Sequence, residues 1–178
     1  MSSEGFNRAQ VGSVVLRLGN DISTDAIYPG RFMATVLPTE TPQFAFADLA
    51  AFNARLKSKA VPPGSVIVAG ANFGCGSSRE QAASALKGHG LIVVARGFAR
   101  IFLQTAVNLG LQAVTCPEIE ASEGDELEIL AAEVLNRSTG KRAATVPLPA
   151  ARQAVMEAGG LIAYTRRRLI ESQGSAQE

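Results

Sequence analysis

The sequence predicts an α/β protein with a parallel βαβ core and a small antiparallel β appendage. Two β-branched runs, Ser65-Val66-Ile67-Val68-Ala69 and Leu91-Ile92-Val93-Val94-Ala95, are continuously apolar, as strands covered on both faces are, and a helix-like stretch over 77–87 separates them. Beyond Glu118 the texture turns acidic and β-like, with short strand patterns joined by turns such as Ser138-Thr139-Gly140. At 178 residues the chain is long enough for one well-buried core and too short for two comfortable domains. We expect a flexible N-terminus over 1–10, one domain over 11–171 and a disordered tail over 172–178.

Taken in order, residues 11–18, around Val14-Val15-Leu16, read as a strand that runs into the turn-rich Gly19-Asn20-Asp21. Residues 22–30 are a loop of short polar side chains closed by Pro29-Gly30. Over 42–56, Phe44, Phe46, Leu49, Phe52 and Leu56 recur mostly every three or four residues, which predicts a core helix and not an aromatic ligand box. Residues 57–64 are a basic, Pro-containing link. Strand 65–69, a glycine loop, helix 77–87 and strand 91–95 form a βαβ unit with parallel, buried strands. The next helix spans 98–109, with Ile101, Phe102, Ala106 and Leu109 on one stripe and Gly110 as its stop, and 111–115 is a further strand. Residues 125–130, 133–136 and 143–146 supply the appendage, and 149–157 and 161–171 are closing helices parted by Gly159-Gly160. Arg166-Arg167-Arg168 reads as a solvated helix face.

Composition narrows the function. Seventeen basic residues against sixteen acidic ones leave a net charge of +1, so no broad basic surface for nucleic acid is implied. The two cysteines, Cys75 and Cys116, are far apart and lack C-x-x-C spacing, which neither builds a zinc site nor supplies the cysteines of an iron–sulfur cluster. No metal ligand is assigned to this chain, and any metal must come from elsewhere. The first residues lack a basic segment followed by an apolar stretch, and nowhere do eighteen apolar residues run together, so a cytoplasmic protein without a membrane segment is expected.

The stretch richest in chemistry is Asn72-Phe73-Gly74-Cys75-Gly76-Ser77-Ser78-Arg79-Glu80, set between a strand and a helix. A helix N-terminus offers unpaired amides and a partial positive charge, both favourable to carboxylates and phosphates. Gly70, Gly74 and Gly76 permit tight turns and close approach of a ligand. Arg79 adds a planar fork that matches a carboxylate. Two readings of the hydroxyls stand side by side: Ser77 with Glu80, or Ser78 with Gln81, is also the pattern of a capping box, in which a serine does no more than cap the helix.

Other chemistries fit poorly. Gly74-x-Gly76-x-x-Arg79 places a bulky cation where a dinucleotide fingerprint has its third glycine, and Gly70 is not followed by the Gly-Lys-Ser/Thr of a phosphate-binding Walker loop. A serine hydrolase would need a histidine near Ser77 or Ser78. His89, the single histidine, lies about three helical turns away and reads as a helix-end residue. No complete catalytic set is present within the chain.

The glycine–serine–arginine stretch, together with Asp21-Ile22-Ser23-Thr24-Asp25-Ala26-Ile27 and Phe98-Ala99-Arg100-Ile101-Phe102, resembles the small subunits of 3-isopropylmalate dehydratase and related aconitase-superfamily hydro-lyases. The resemblance runs from about residue 11 to the last helix, including Glu157-Ala158-Gly159-Gly160-Leu161-Ile162 of the archaeal-type form. It implies a swivelling β/β/α domain made as a separate polypeptide, active only with a large subunit that carries a 4Fe-4S cluster on its own cysteines. The implied reaction removes water from a 2-hydroxy dicarboxylate and re-adds it at the neighbouring carbon, as in leucine biosynthesis.

By the same resemblance Ser77 is the general base, Arg79 grips a substrate carboxylate, and Ser78 and Gly76 complete the binding loop. Asp25 falls in the family's Thr-Asp pair, which makes it a catalytic candidate beside Ser77; it either orients loop residues or Arg79, or closes an Asx turn before Pro29. The segment Phe32-Met33-Ala34-Thr35 occupies the specificity loop, where relatives often have Tyr-Leu-Arg-Thr or Tyr-Leu-Arg-Met. Ala34 offers no charge for a distal carboxylate, and Phe32, Met33 and Val36 offer apolar surface. An alkyl-substituted malate is favoured, isopropylmalate first, with dimethylmalate and homoaconitase-type substrates as alternatives and Arg31 as a cation that could compensate. A non-catalytic carboxylate- or phosphate-binding module is the alternative of another class, and self-association of the isolated chain stays open.

Overall fold

The computed structural model describes residues 9–174. Its strands are β1 (Gln10–Arg17), β2 (Val66–Ala69), β3 (Ile92–Ala95), β4 (Ala113–Thr115), β5 (Glu126–Ile129), β6 (Glu133–Asn136) and β7 (Arg142–Ala144). They join in one sheet of order β4-β3-β2-β1-β5-β6-β7. Strand β1 is the seam: it pairs parallel with β2 through Val14↔Val66 and Leu16↔Ile67, and antiparallel with β5 through Gln10↔Ile129 and Gly12↔Leu127. The expected antiparallel appendage is thus present, joined to the parallel strands in one sheet through β1.

Every residue of β2 and β3 is buried because alternate side chains meet different partners. Ile67, Ala69, Val93 and Ala95 pack against the helices, while Val66, Val68, Ile92 and Val94 pack against Leu127, Ile129 and Val134 of the antiparallel strands. The sheet thus curls over its own face, giving a β/β/α arrangement with the parallel strands in the middle.

The helices are α1 (Thr24–Ile27), α2 (Ala50–Lys57), α3 (Glu80–Gly88), α4 (Arg100–Leu109), α5 (Ala150–Glu157) and α6 (Leu161–Gly174). Small residues bring α3 close to the sheet, since Ala82, Ala83 and Ala85 are fully buried with Leu86. Helix α4 buries Phe102, Ala106 and Val107 and stops at Gly110, which adopts the left-handed φ of 74° that a Cβ disfavours. Lys87 donates to the carbonyls of Leu109 and Gly159, so one ammonium ties α3 to the C-terminal ends of α4 and α5.

Several sequence expectations need correction. The core helix expected over 42–56 is broken. A 3₁₀ turn spans Thr41–Phe44, Phe46 takes φ 51°, and α2 starts only at Ala50. Phe46 is the cause: its amide donates to the Ile27 carbonyl at 2.7 Å and its ring is 1% exposed, edge-on to Phe52, so burial of the ring turns the chain out of helical geometry. The loop expected over 22–30 contains the single turn α1, capped by Ser23 Oγ, which accepts from the Ala26 amide at 3.1 Å. Gln10 is already in β1, and α6 continues through residues 172–174 of the expected tail. Residues 1–8 and 175–178, and what was expected of them, lie outside the described residues. Among the described residues no helix is long and apolar enough to cross a membrane.

Candidate active site

The loops that leave β1, β2 and β3 meet at the C-terminal ends of these parallel strands, the side on which open α/β sheets place ligands. Backbone bonds extend the sheet pairing into the loops: Asp21 N to Ala71 O at 2.9 Å, Gly74 N to Ile22 O at 2.7 Å, Thr24 N to Cys75 O at 2.8 Å, and Phe73 N to Gly97 O at 2.9 Å. Three segments far apart in sequence are thereby fixed as one surface. Glycine is required at Gly74, where φ is +81° and a Cβ would lie 2.2 Å from Phe102 Cγ. This close approach brings the start of α4 against the serine loop.

The helix expected from residue 77 begins at Glu80, and its N-cap, Arg79, makes no side-chain capping bond. Ser77 and Ser78 therefore do not cap it. Both are exposed, and among the described residues neither hydroxyl has a hydrogen-bond partner. The buried Thr24 Oγ1 donates to the Ser77 carbonyl at 2.7 Å, which holds the serine's backbone while leaving its side chain free. Among the described residues no acceptor takes the amides of Gly76, Ser77, Ser78, Arg79 or Glu80. A run of free donors at a helix start favours negative charge beside it.

Arg79 is held by its neighbours. Its side chain is 17% exposed, and Nη1 donates both to Asp25 Oδ1 and to the Tyr28 carbonyl, the latter at 3.1 Å. Asp25 Oδ1 also accepts from the Gly30 amide at 2.8 Å. The Arg79 hydrogen bond, then the Gly30 amide, hold the Asp25 carboxyl below its ordinary pKa of 3.8. Asp25 is thus a brace for Arg79, although the two are 54 positions apart. Nε and Nη2 of Arg79 have no acceptor among the described residues, so half of the fork remains for a ligand.

A cleft of about 230 Å³ opens here. Gly76, Ser77, Ser78 and Arg79 line one side, while Arg100, Ile101, Phe102 and Thr105 of α4 line the other. Arg100 stands within the family motif at 98–102 but was given no role, and Thr105 was not singled out, because the helix was otherwise read by its buried stripe. Arg100 does repeat the position of Arg79, at the start of the helix that follows a parallel strand. Ile101, expected on the buried stripe, is 47% exposed at this cleft. A larger, mainly apolar hollow of about 330 Å³ lies between β4, the β5–β6 turn and α5 and contains none of these groups.

The specificity-loop residues do not line the cleft. Phe32 stacks on Phe44, with ring centroids 4.2 Å apart, and Met33 packs against the helix-side core, so the apolar surface expected of them faces inward. Ala34 is exposed and Thr35 half-buried, and the exposed apolar side chains follow them at Val36 and Leu37. The loop joins the site through Gly30, where a Cβ would meet Asp25 Oδ1 at 3.2 Å and Arg79 Nη2 at 3.3 Å.

The described residues do not fit an iron–sulfur cluster: no three His, Cys, Asp or Glu side chains among them come together in a metal-binding group. Cys116 is buried in the second core cluster, where desolvation, then Glu118, push its thiol up to about 11, far from the thiolate a cluster needs. Cys75 is half-buried in the serine loop with no second cysteine beside it to complete a ligand set.

The curled β/β/α sheet with a serine–arginine loop at its parallel edge defines a domain of the aconitase swivel class, and the profile of the aconitase C-terminal domain matches residues 21–119. The 3-isopropylmalate dehydratase small subunit of Thermodesulfovibrio yellowstonii is 42% identical over 160 residues, 87% of this chain and 93% of that one. The isopropylmalate/citramalate isomerase small subunit of Methanocaldococcus jannaschii is 40% identical over 93% of this chain and 99% of its own. The crystal structure of 3-isopropylmalate dehydratase from that organism superposes with a TM-score of 0.83 at 37% identity, covering 94% of this chain and 99% of the other. The chain belongs to the family of 3-isopropylmalate dehydratase small subunits.

Proposed function

We propose that this chain is the small subunit of a two-subunit hydro-lyase that converts 2-isopropylmalate into 3-isopropylmalate in the cytoplasm. The observation that carries the reading is the pairing, in one cleft, of an unpartnered Ser77 hydroxyl with the half-free Arg79 fork at the start of α3. The large subunit is the partner, and the 4Fe-4S cluster is assigned to it, since the described residues of this chain offer no donor set. There the cluster would supply a Lewis acid for the departing hydroxyl. The free thiols Cys75 and Cys116 suit a reducing compartment.

The chain's own share of the reaction follows from its geometry. The free Nε and Nη2 of Arg79 bind one substrate carboxylate, with the loop amides and Ser78 as further donors. Ser77 Oγ, as the alkoxide, takes the proton from the carbon next to the one bearing the hydroxyl and becomes the neutral alcohol. Loss of that proton and of the hydroxyl amounts to loss of one water, and the alkene re-adds water with the two positions exchanged. A serine is a feeble base at its ordinary pKa, so its alkoxide must be favoured by its surroundings. The free amides from Gly76 to Glu80, the Arg79 charge and the N-terminus of α3 all act in that direction. Asp25 does not touch the substrate here but holds Arg79 in place.

The name of the M. jannaschii relative favours a second substrate, the 2-methyl analogue citramalate, for the same site. Co-purification with the large subunit, followed by an anaerobic assay over 2-alkylmalates and homocitrate, tests the reading. Turnover of alkylmalates by the complex and none by the isolated chain is expected. Tight binding of malates or phosphates by the isolated chain, with no turnover in the complex, would instead support a non-catalytic module.

A further inference from the structure

The loop entering the site carries one cation that the reaction does not use. Arg31 follows Gly30, which lies against the Asp25–Arg79 pair, so its backbone emerges at the edge of the site. Its guanidinium is not free. Nη2 donates to Asp48 Oδ1 at 2.5 Å and Nη1 to Asp48 Oδ2 at 3.3 Å, a two-pronged pair, and the guanidinium carbon sits 4.6 Å above the Phe32 ring. Phe32 is in turn stacked on Phe44.

The position of Asp48 is equally defined. It lies in the turn between the 3₁₀ segment Thr41–Phe44 and α2, a turn set by the left-handed Phe46 and its bond to the Ile27 carbonyl. Buried Phe46 therefore delivers the carboxylate to Arg31. Both charged side chains are more than half exposed, so the pair is weak in energy. Its consequence lies in its net charge, which is zero. A 2-alkylmalate has two carboxylates and a tricarboxylate has three. An unpaired guanidinium at this edge would attract the third, whereas a neutralised one does not.

We infer that Asp48 is a specificity-determining residue acting through Arg31: by holding the guanidinium against Phe32 it keeps the edge of the site neutral and disfavours substrates with a third carboxylate. Asp48 itself need not touch the substrate. The inference deepens the hydro-lyase reading and rests on it for the identity of the site.

The test compares affinities of 2-isopropylmalate and homocitrate for the complex with the large subunit, as Michaelis or inhibition constants, in the natural protein, Asp48→Asn and Asp48→Asn/Arg31→Ala. Asp48→Asn is expected to improve the homocitrate constant relative to isopropylmalate by about two- to fivefold, the scale of one exposed charge pair. Removing Arg31 as well is expected to abolish that gain, which a merely structural role for Asp48 would not produce. An unchanged ratio in Asp48→Asn, or a gain that survives Arg31→Ala, overturns the inference. A complex inactive on every alkylmalate overturns the functional reading instead. In that case the same ratio, measured as Kd values by calorimetry on the complex, still decides the role of Asp48.

Discussion

Replacement of Gly74 by alanine strikes the contact on which the cleft depends. A Cβ there would lie 2.2 Å from Cγ and 2.5 Å from Cβ of Phe102, whose ring is 3% exposed and packed edge-on to Phe73 at 5.3 Å. Neither partner can swing into solvent, so α4 must move away from the serine loop. Overpacking of this kind costs about 1–3 kcal/mol, and an alanine forced to φ +81° costs about 1 kcal/mol more. The sum is about 2–4 kcal/mol, or a Tm lower by roughly 4–16 °C for a chain of this size. Urea and thermal unfolding of Gly74→Ala measure it directly, with Gly19→Ala as control because a Cβ at Gly19 meets nothing within 4 Å. The control is expected to stay within about 0.5 kcal/mol of the natural protein. Equal stability of the two variants would refute the claim that this close approach fixes the cleft wall.

Arg79→Lys is expected to raise the Michaelis constant of the complex about tenfold or more, because an ammonium cannot brace against Asp25 and Tyr28 and still present a fork; an unchanged constant would contradict the clasp. The Asp25 carboxyl, followed by NMR in the isolated chain, is expected to titrate below 3.8 and to rise toward that value in Arg79→Met. Because its folded pKa is the lower one, the stabilisation by Asp25 is fully present above about pH 4 and is lost as pH falls through the folded value. Cys116, with its thiol pushed up to about 11 in the core, is expected to resist alkylation of the native protein at pH 8 and to react on unfolding, as thiol titration with and without denaturant would show.

The parallel strands were legible because burial on both faces leaves continuous β-branched runs, and the helix ends were legible where Gly110 and His89 close them. The break near Phe46 was not. Its helical spacing with Leu49 and Phe52 is real, but the hydrogen bond its amide donates to the Ile27 carbonyl, nineteen positions back, is a tertiary contact that local pattern does not encode. The serine loop was legible from its composition, yet its capping pattern pointed equally to a structural role. The structure removes the capping reading, because α3 starts beyond both serines. Arg79 was singled out from the loop's own residues and Asp25 from the family resemblance, with contact to Arg79 as one of two readings; the pairing itself depends on how the β1 and β2 loops meet. Arg100 stood in the family motif, but its place on the cleft wall was not legible, since an amphipathic helix is read by its buried stripe and its exposed first turn carries no periodic signal.

Ser77→Ala in the complex with the large subunit tests the base assigned to this chain, with turnover of 2-isopropylmalate measured anaerobically and assembly checked by co-purification. Loss of a general base predicts turnover lower by about a hundredfold or more, with unchanged assembly and a nearly unchanged Michaelis constant. Turnover equal to that of the natural complex would contradict it and return the serine loop to a structural role.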